Sequence, residues 1–231
     1  MTFADKIIFF LKELEFTGKL PPDIRIMNPF RENPLVMPLV GQFYSKFYSD
    51  NNPRHLLIGI NPGRFGAGTT GIPFTDTKRL REKCGLTIEG INTFEPSSVF
   101  IYDMIDEFGG VQEFYSKFYI TAVSPLGFTK LGKSEKHVNY NYYESRELQE
   151  AVMPFIRESL EKQLDFGIIR DAGFCIGTGK NFKFLSELNE KYGYFRKMVP
   201  LEHPRFIMQY KAKQKGAYIS KYVEELKKAK G

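Results

Sequence analysis

The sequence predicts an α/β fold, a three-layer α/β/α sandwich with a central, mostly parallel sheet of four strands. Four short apolar runs have the length and the β-branched or aromatic content of buried strands, and segments with helical periodicity separate them. Glycine, proline or a polar residue closes these runs, as is typical of turns that leave a sheet. Strands that alternate with helices pair in parallel, because each crossover helix returns the chain to the same end of the sheet.

The predicted elements follow one another along the whole chain. The strands are residues 54–60, 118–123, 173–177 and 195–199. Helices are predicted where apolar residues recur three and four positions apart, several of them after a good N-cap residue. They are residues 2–16, 35–48, 76–84, 97–108, 142–164, 181–192 and a last helix around residues 218–226. Residues 19–34 are rich in proline and are expected to form an extended wrap.

Composition predicts one soluble domain over residues 1–231, with 42% apolar and 26% charged residues. The two cysteines, Cys84 and Cys175, are too few for a four-cysteine zinc or iron–sulfur site from this chain alone, and no metal or organic cofactor is expected. No apolar run reaches the ~20 residues of a membrane span, and no signal-peptide pattern is present. We expect a cytoplasmic, intracellular monomer, associated with the nucleoid if the source is bacterial.

The net charge of +6 is concentrated in the last part of the chain. Residues 205–231 contain eight Lys or Arg and only two Glu, so residues 1–204 are neutral overall. This basic segment begins directly after His203, and a positive field there suits an enzyme that holds phosphates. A solubilising surface helix is the alternative interpretation, and the sequence leaves the two evenly matched.

Residues 59–74, GINPGRFGAGTTGIPF, are the most informative stretch of the sequence. They follow the apolar run 55–58, so Asn61 stands at the carboxyl end of a predicted strand, where open α/β sheets place ligand chemistry. Ser124 and His203 also follow predicted strands. Because the carboxyl ends of parallel strands share one edge of the sheet, we expect these three side chains to meet in one cleft.

This stretch resembles the first signature of the single-strand-selective monofunctional uracil-DNA glycosylases. That signature reads Gly-Met-Asn-Pro-Gly-Pro-Phe-Gly and then Thr-Gly-Val-Pro-Phe, and residues 59–66 and 70–74 match it at the same spacing. Two weaker matches follow in family order. Residues 123–128 resemble the family's Asn-x-Cys-Pro-Leu strand end, and residues 203–205 resemble a His-Pro-Ser-Pro-Arg loop that is two residues longer.

The resemblance implies a DNA glycosylase of base-excision repair that hydrolyses the N-glycosidic bond of uracil, or of a related deaminated or 5-substituted base. Asn61 would position the attacking water, because an amide cannot act as a general base. His203 would donate a hydrogen bond from a neutral imidazole to the base O2 as negative charge develops there. Phe74 would stack on the flipped base.

The resemblance also implies the residues that hold base and DNA. Ile60, Gly63 and Ser124 complete the base-binding set, in which Gly63 leaves room near C5 of the ring. Contacts to DNA are expected from the segment after His203. They are Arg205 and Lys211, with Lys213 and Lys215, on phosphates, and Gln209 or Tyr210 as a wedge in the vacated stack.

One departure from the family leaves the preferred base open. Ala122 stands where the family has an asparagine whose amide pairs with N3–H and O4 of uracil. An alanine side chain cannot pair with a base, so a glycosylase specific for xanthine or hypoxanthine is an alternative to one specific for uracil.

Two alternatives come from other classes of protein. One is a nucleic-acid-binding module without catalysis, although binding alone requires neither Asn61 nor His203. The other is a dinucleotide-binding domain, because residues 66–71 read G-x-G-x-x-G and Glu89 follows them. Against it, the first glycine comes late after the strand, and Pro73 interrupts the helix that should receive the pyrophosphate.

Overall fold

The computed structural model describes residues 1–132 and 135–229. Seven strands are found in them: β1 (Ile24–Met27), β2 (Arg54–Gly59), β3 (Phe118–Ala122), β4 (Gly127–Leu131), β5 (His137–Tyr140), β6 (Ile168–Ile176) and β7 (Lys197–Leu201). The helices of the described residues are α1 (Phe3–Glu13), α2 (Pro29–Glu32), α3 (Val36–Phe47), α4 (Ala67–Thr70), α5 (Thr77–Cys84), α6 (Pro96–Phe108), α7 (Val111–Lys117), α8 (Arg146–Leu164), α9 (Lys180–Tyr192), α10 (Pro204–Tyr210) and α11 (Lys215–Lys227). None of these helices is long and apolar enough to cross a membrane, within the described ranges.

The central sheet has the strand order β3-β2-β6-β7, and each neighbouring pair is parallel. Helices flank this sheet, so the predicted α/β sandwich with a four-stranded parallel sheet is confirmed. Strand β2 lies inside the sheet and is buried along its whole length, as expected for a nearly continuous apolar run. The carboxyl ends of β2, β3 and β7 therefore lie at one edge of the sheet.

A second sheet, which the sequence pattern does not predict, packs three antiparallel strands in the order β1-β4-β5. Strand β1 lies in the proline-rich segment 19–34, which is extended as predicted but also pairs with β4. These strands are four or five residues long. Alternation over so few residues is too weak a signal to distinguish a short strand from a loop.

Helix α8 begins at Arg146, four residues later than the periodicity predicts. Ser145 is its N-cap, and the Ser145 side chain accepts a hydrogen bond from the Leu148 N–H. The Tyr142 side chain is fully buried and donates from its hydroxyl to Asn181 Oδ1 at 2.9 Å. Tyr142 therefore belongs to the segment that joins the small sheet to α8, and this segment runs past the cleft described below.

A buried cation fixes the start of β2, the strand that leads into the cleft. The Arg54 side chain is fully buried and lies over the rings of Phe3 and Tyr48. Its guanidinium donates to both carboxylate oxygens of Asp50, at 2.8 and 3.0 Å, and its Nε donates to the Tyr115 carbonyl at 2.8 Å. A buried charge is tolerated only when it is paired in this way.

Candidate active site

The residues that follow β2 and β7 line one cavity of about 340 Å³ at the carboxyl edge of the central sheet. Eight of the predicted site residues are in its wall: Ile60, Asn61, Gly63, Phe74, His203, Arg205, Gln209 and Tyr210. Asn61 and His203 are thus brought together across 142 positions of sequence. Ala122, at the end of β3, lines the same cavity.

The Asn61 carboxamide is held on both sides by backbone groups. Its Nδ2 donates to the carbonyl oxygens of Tyr140 at 3.3 Å and of Pro62 at 3.4 Å. Its Oδ1 accepts from the Tyr142 N–H at 3.1 Å. The contacts to Tyr140 and Tyr142 come from the end of β5 and the segment after it, so these residues help to set the orientation of the amide before any substrate enters.

His203 is held as a neutral imidazole with its Nε2–H available. It is the N-cap of α10, and its Nδ1 accepts from the Arg205 N–H at 3.1 Å. A nitrogen that accepts a hydrogen bond carries no proton, so the proton of the neutral ring is on Nε2. Burial, together with the nearby Arg205 charge, lowers the pKa of His203 from 6.5 to about 4.

The Phe74 ring lies between the end of β2 and His203. The centroids of the Phe74 and His203 rings are 5.9 Å apart. A side chain at Gly59 would put its Cβ 3.1 Å from the Phe74 ring, so the glycine permits this close approach. Phe74 also has a φ of 51°, in the left-handed region that non-glycine residues rarely adopt. Such strain is typical of ligand-binding positions and is held here by the surrounding turn.

Four predicted residues are not in the cavity wall: Ser124, Lys211, Lys213 and Lys215. Ser124 is fully buried, and its hydroxyl donates to the Leu126 carbonyl at 2.7 Å. Lys211 is exposed at the end of α10 and is not part of the cavity wall. The cleft therefore contains neither the Ser124 hydroxyl nor the Lys211 ammonium group.

Residues 45–227 match the sequence profile of the Uracil DNA glycosylase superfamily. The chain belongs to this superfamily. Its structure is similar to the crystal structure of wild-type SMUG2 from Pedobacter heparinus, with 55% identity, a TM-score of 0.96 and coverage of 98% of this chain and 97% of that one. No curated protein matches the chain significantly. The resemblance seen in the sequence is confirmed, and the protein is a DNA glycosylase whose partner is DNA.

The glycosylase cleft also contains a carboxyl group that the sequence did not indicate. Glu95 precedes α6, and its backbone N–H donates to Asp76 Oδ2 at 2.8 Å. Burial raises the pKa of the Glu95 carboxyl to about 7, helped by the Asp76 charge and opposed by Arg205. A lone glutamate before a proline carries no sequence signal for such a position.

Asn139 is a second unpredicted residue of the cleft. It lies in β5, is exposed at the cavity wall, and accepts from the Arg64 N–H through Oδ1 at 3.1 Å. Residues 1–132 and 135–229 contain no cluster of three His, Cys, Asp or Glu side chains that could hold a metal ion. The wall of the cleft contains the amides of Asn61 and Asn139, the imidazole of His203 and the carboxyl of Glu95.

Proposed function

We propose that this glycosylase is monofunctional and excises uracil, or a related deaminated or 5-substituted base, from DNA after flipping the nucleotide into the cavity. The observation that carries the proposal is the pairing of a neutral His203, with Nε2–H unengaged, and a fixed Asn61 amide in one cavity. These are the two groups that hydrolysis of an N-glycosidic bond needs in the absence of a nucleophilic side chain.

His203 acts on the leaving base. As the glycosidic bond breaks, negative charge accumulates on the base oxygen, and a hydrogen bond from Nε2–H grows stronger with that charge. The backbone N–H of Arg205 holds the ring in the correct tautomer, so no proton has to be rearranged during the reaction. A neutral donor suffices because the base leaves as an anion.

Asn61 acts on the water that attacks C1′. Since its amide is already oriented by Tyr140 and Tyr142, the water is placed without a further loss of conformational freedom. Phe74 supplies an apolar face for the flipped ring, and its position against Gly59 keeps that face rigid.

Excision of xanthine or hypoxanthine is the second candidate activity. Ala122 lines the cavity and offers no hydrogen bond, so pairing at this point does not favour uracil over a purine. The cavity volume of about 340 Å³ also leaves space for a larger base.

Single-turnover cleavage of oligonucleotides that carry uracil, xanthine or hypoxanthine tests the proposal. We expect wild-type cleavage of at least one base, and a loss of about 100-fold or more for Asn61→Ala and for His203→Asn. Asparagine is a good N-cap, so His203→Asn removes the Nε2 donor while it preserves the start of α10. Asn92→Ala, at an exposed loop position, is the control and should retain the wild-type rate.

Binding to DNA that contains a tetrahydrofuran abasic analogue separates catalysis from binding. Both variants should bind it as wild type does, because no base occupies the cavity. A wild-type protein that binds this DNA but cleaves none of the three bases would instead support a binding module without catalysis.

A further inference from the structure

A pair of polar side chains beside Gly63 has no part in the mechanism above. Glu95 Oε1 and Asn139 Nδ2 each lie 3.4 Å from the point that a Cβ on Gly63 would occupy. The two atoms are therefore at most about 7 Å apart and approach the same point of the cavity. Both residues line the same cavity as Asn61 and His203.

Both groups have hydrogen-bonding capacity that is not used within the protein. Asn139 uses Oδ1 to accept from the Arg64 N–H, which fixes the amide and leaves Nδ2 directed elsewhere. Within residues 1–132 and 135–229, neither Asn139 Nδ2 nor the Glu95 carboxyl forms a hydrogen bond or an ion pair. A half-buried carboxyl and an exposed amide in the wall of one cavity are both available to a polar ligand.

Two other polar side chains of the cavity wall, those of Gln163 and Asn61, are already paired. Gln163 Oε1 accepts from the hydroxyls of Tyr119 and Thr121, at 2.9 and 2.6 Å. The Asn61 amide is engaged by the backbone at both of its polar atoms. Unlike these two side chains, Glu95 and Asn139 have an acceptor and a donor that can face a base.

We propose that Glu95 and Asn139 read the edge of the flipped base, with Asn139 Nδ2–H donating to an exocyclic keto oxygen and the Glu95 carboxyl accepting the neighbouring ring N–H. This inference rests on the proposed function of the site. The pair supplies the donor and the acceptor that a carboxamide at the position of Ala122 would have supplied. The pair selects bases with a lactam edge, a ring N–H beside a carbonyl, which uracil, hypoxanthine and xanthine share with thymine and guanine.

Bases whose edge has an amino group beside an unprotonated ring nitrogen are rejected by the same pair. Cytosine and adenine place an amino donor where the keto oxygen would be and an unprotonated ring nitrogen beside it. In that register two donors face each other at Asn139, so this hydrogen bond is lost, and an ionised Glu95 places a second acceptor against the unprotonated ring nitrogen.

The ionisation of Glu95 adds a dependence on pH. Burial and the charge of Asp76 raise the pKa of Glu95 to about 7, whereas Arg205 opposes the shift; Asp76 is itself paired with Arg79. A neutral carboxyl still accepts an N–H through its carbonyl oxygen. An ionised carboxylate repels the negative charge that develops on the leaving base, so excision slows as pH rises through 7.

Single-turnover excision of the three bases at pH 6 to 9 tests the pair. Asn139→Asp keeps the Oδ1 contact to Arg64 but removes the donor, and we expect it to slow excision at least about tenfold, the loss typical of one hydrogen bond. Glu95→Leu should do the same. Glu95→Gln keeps an acceptor, so it should retain the wild-type rate at pH 6 and lose the decline above pH 7. Glu89→Gln and Asn92→Asp, at exposed loop positions, are matched controls.

Affinity for abasic-analogue DNA distinguishes base reading from a structural role. Base reading leaves that affinity unchanged while excision of the bases becomes slower. Parallel loss of affinity and activity in Asn139→Asp and Glu95→Leu overturns the inference. Wild-type rates in both variants also overturn it, and leave the proposed function intact. Failure of the wild-type protein to excise any of the three bases overturns the proposed function itself.

Discussion

His203 is kept neutral by its place at the start of a helix. Protonation of Nδ1 would break its hydrogen bond from the Arg205 N–H and would put a cation beside the Arg205 side chain. The positive end of the α10 dipole acts in the same direction. The proposed donor is therefore an imidazole that stays in one protonation state over the whole neutral range.

The stability of the protein should depend on pH through His203. Its folded pKa is about 4 against 6.5 for the free side chain, so the unfolded chain binds the proton more readily. The free energy of unfolding is unaffected well above pH 6.5 and falls as pH drops towards 4. This group alone contributes a loss of about 2 kcal/mol between pH 7 and pH 5.

His203→Asn should remove this loss of about 2 kcal/mol between pH 7 and pH 5, because asparagine caps the helix but does not titrate. Urea unfolding of both proteins at pH 7 and pH 5 measures the difference. An equal loss of stability in wild type and variant would show that His203 titrates normally in the folded state.

At the scale of the elements, the short helix α4 connects the first motif to the core. Its C-cap, Gly71, has a φ of 72°, and a Cβ there would lie 2.7 Å from Val36 Cγ1 and 2.9 Å from Val40 Cγ2 on α3. The absence of a side chain at Gly71 therefore allows α4 to pack closely against α3. Residues 66–71 do not open a long helix of the kind that binds a pyrophosphate.

Gly71→Ala should destabilise the protein by about 2–5 kcal/mol, the sum of left-handed backbone strain and overpacking against α3. Gly90→Ala is the matched control, since Gly90 has a φ of 71° but no atom of residues 1–132 and 135–229 within 4 Å of its Cβ position. The control should lose only about 1–2 kcal/mol in urea unfolding. Equal losses in the two variants would mean that packing against Val36 and Val40 adds nothing.

The small sheet matters for the site although the sequence does not predict it. The end of β5 and Tyr142 supply the two backbone groups that orient Asn61, and β5 also supplies Asn139. The central sheet therefore places Asn61 at the correct edge, and the small sheet helps to set the direction of its amide.

At the scale of the whole molecule, ion pairs divide the basic C-terminal region into two groups. Lys215 pairs with Asp103 at 2.7 Å, and Lys221 pairs with Glu202 at 2.9 Å. Lys211 and Lys213 are exposed and form no ion pair with any residue in the ranges 1–132 and 135–229. We propose that these two, with Arg205 at the mouth of the cavity, contact DNA phosphates.

The salt dependence of DNA binding tests this division. In Lys211→Ala/Lys213→Ala the slope of log K against log salt concentration should decrease in magnitude by about 2, because each phosphate contact releases roughly one counterion. Lys221→Ala should leave the slope unchanged, since that lysine is already neutralised by Glu202. A double variant with the wild-type slope would contradict a phosphate role for Lys211 and Lys213.

We also propose that the chain folds as one domain. Support comes from the hydrophobic core, in which Ile24 of the small sheet and Leu57 of the central sheet belong to one continuous cluster of buried residues.

The sequence by itself determined the alternation of strands and helices, the motif after β2, and the expectation that Asn61 and His203 meet. These features are local, because a few consecutive residues are enough to indicate a buried apolar run, a Pro-Gly turn or the end of a strand. The rule that parallel strands share an edge then converts such local signals into one long-range prediction.

Only the tertiary structure decided how the site is completed. Asn61 is oriented by residues 79 and 81 positions away, Glu95 and Asn139 approach the same glycine from different elements, and Ser124 turns out to be bonded to Leu126. Local propensity even predicts a helix from residue 142, where pairing with Asn61 and Asn181 holds Tyr142 in another conformation. Such contacts depend on which distant segments pack together. The periodicity of a single segment does not predict its distant partners.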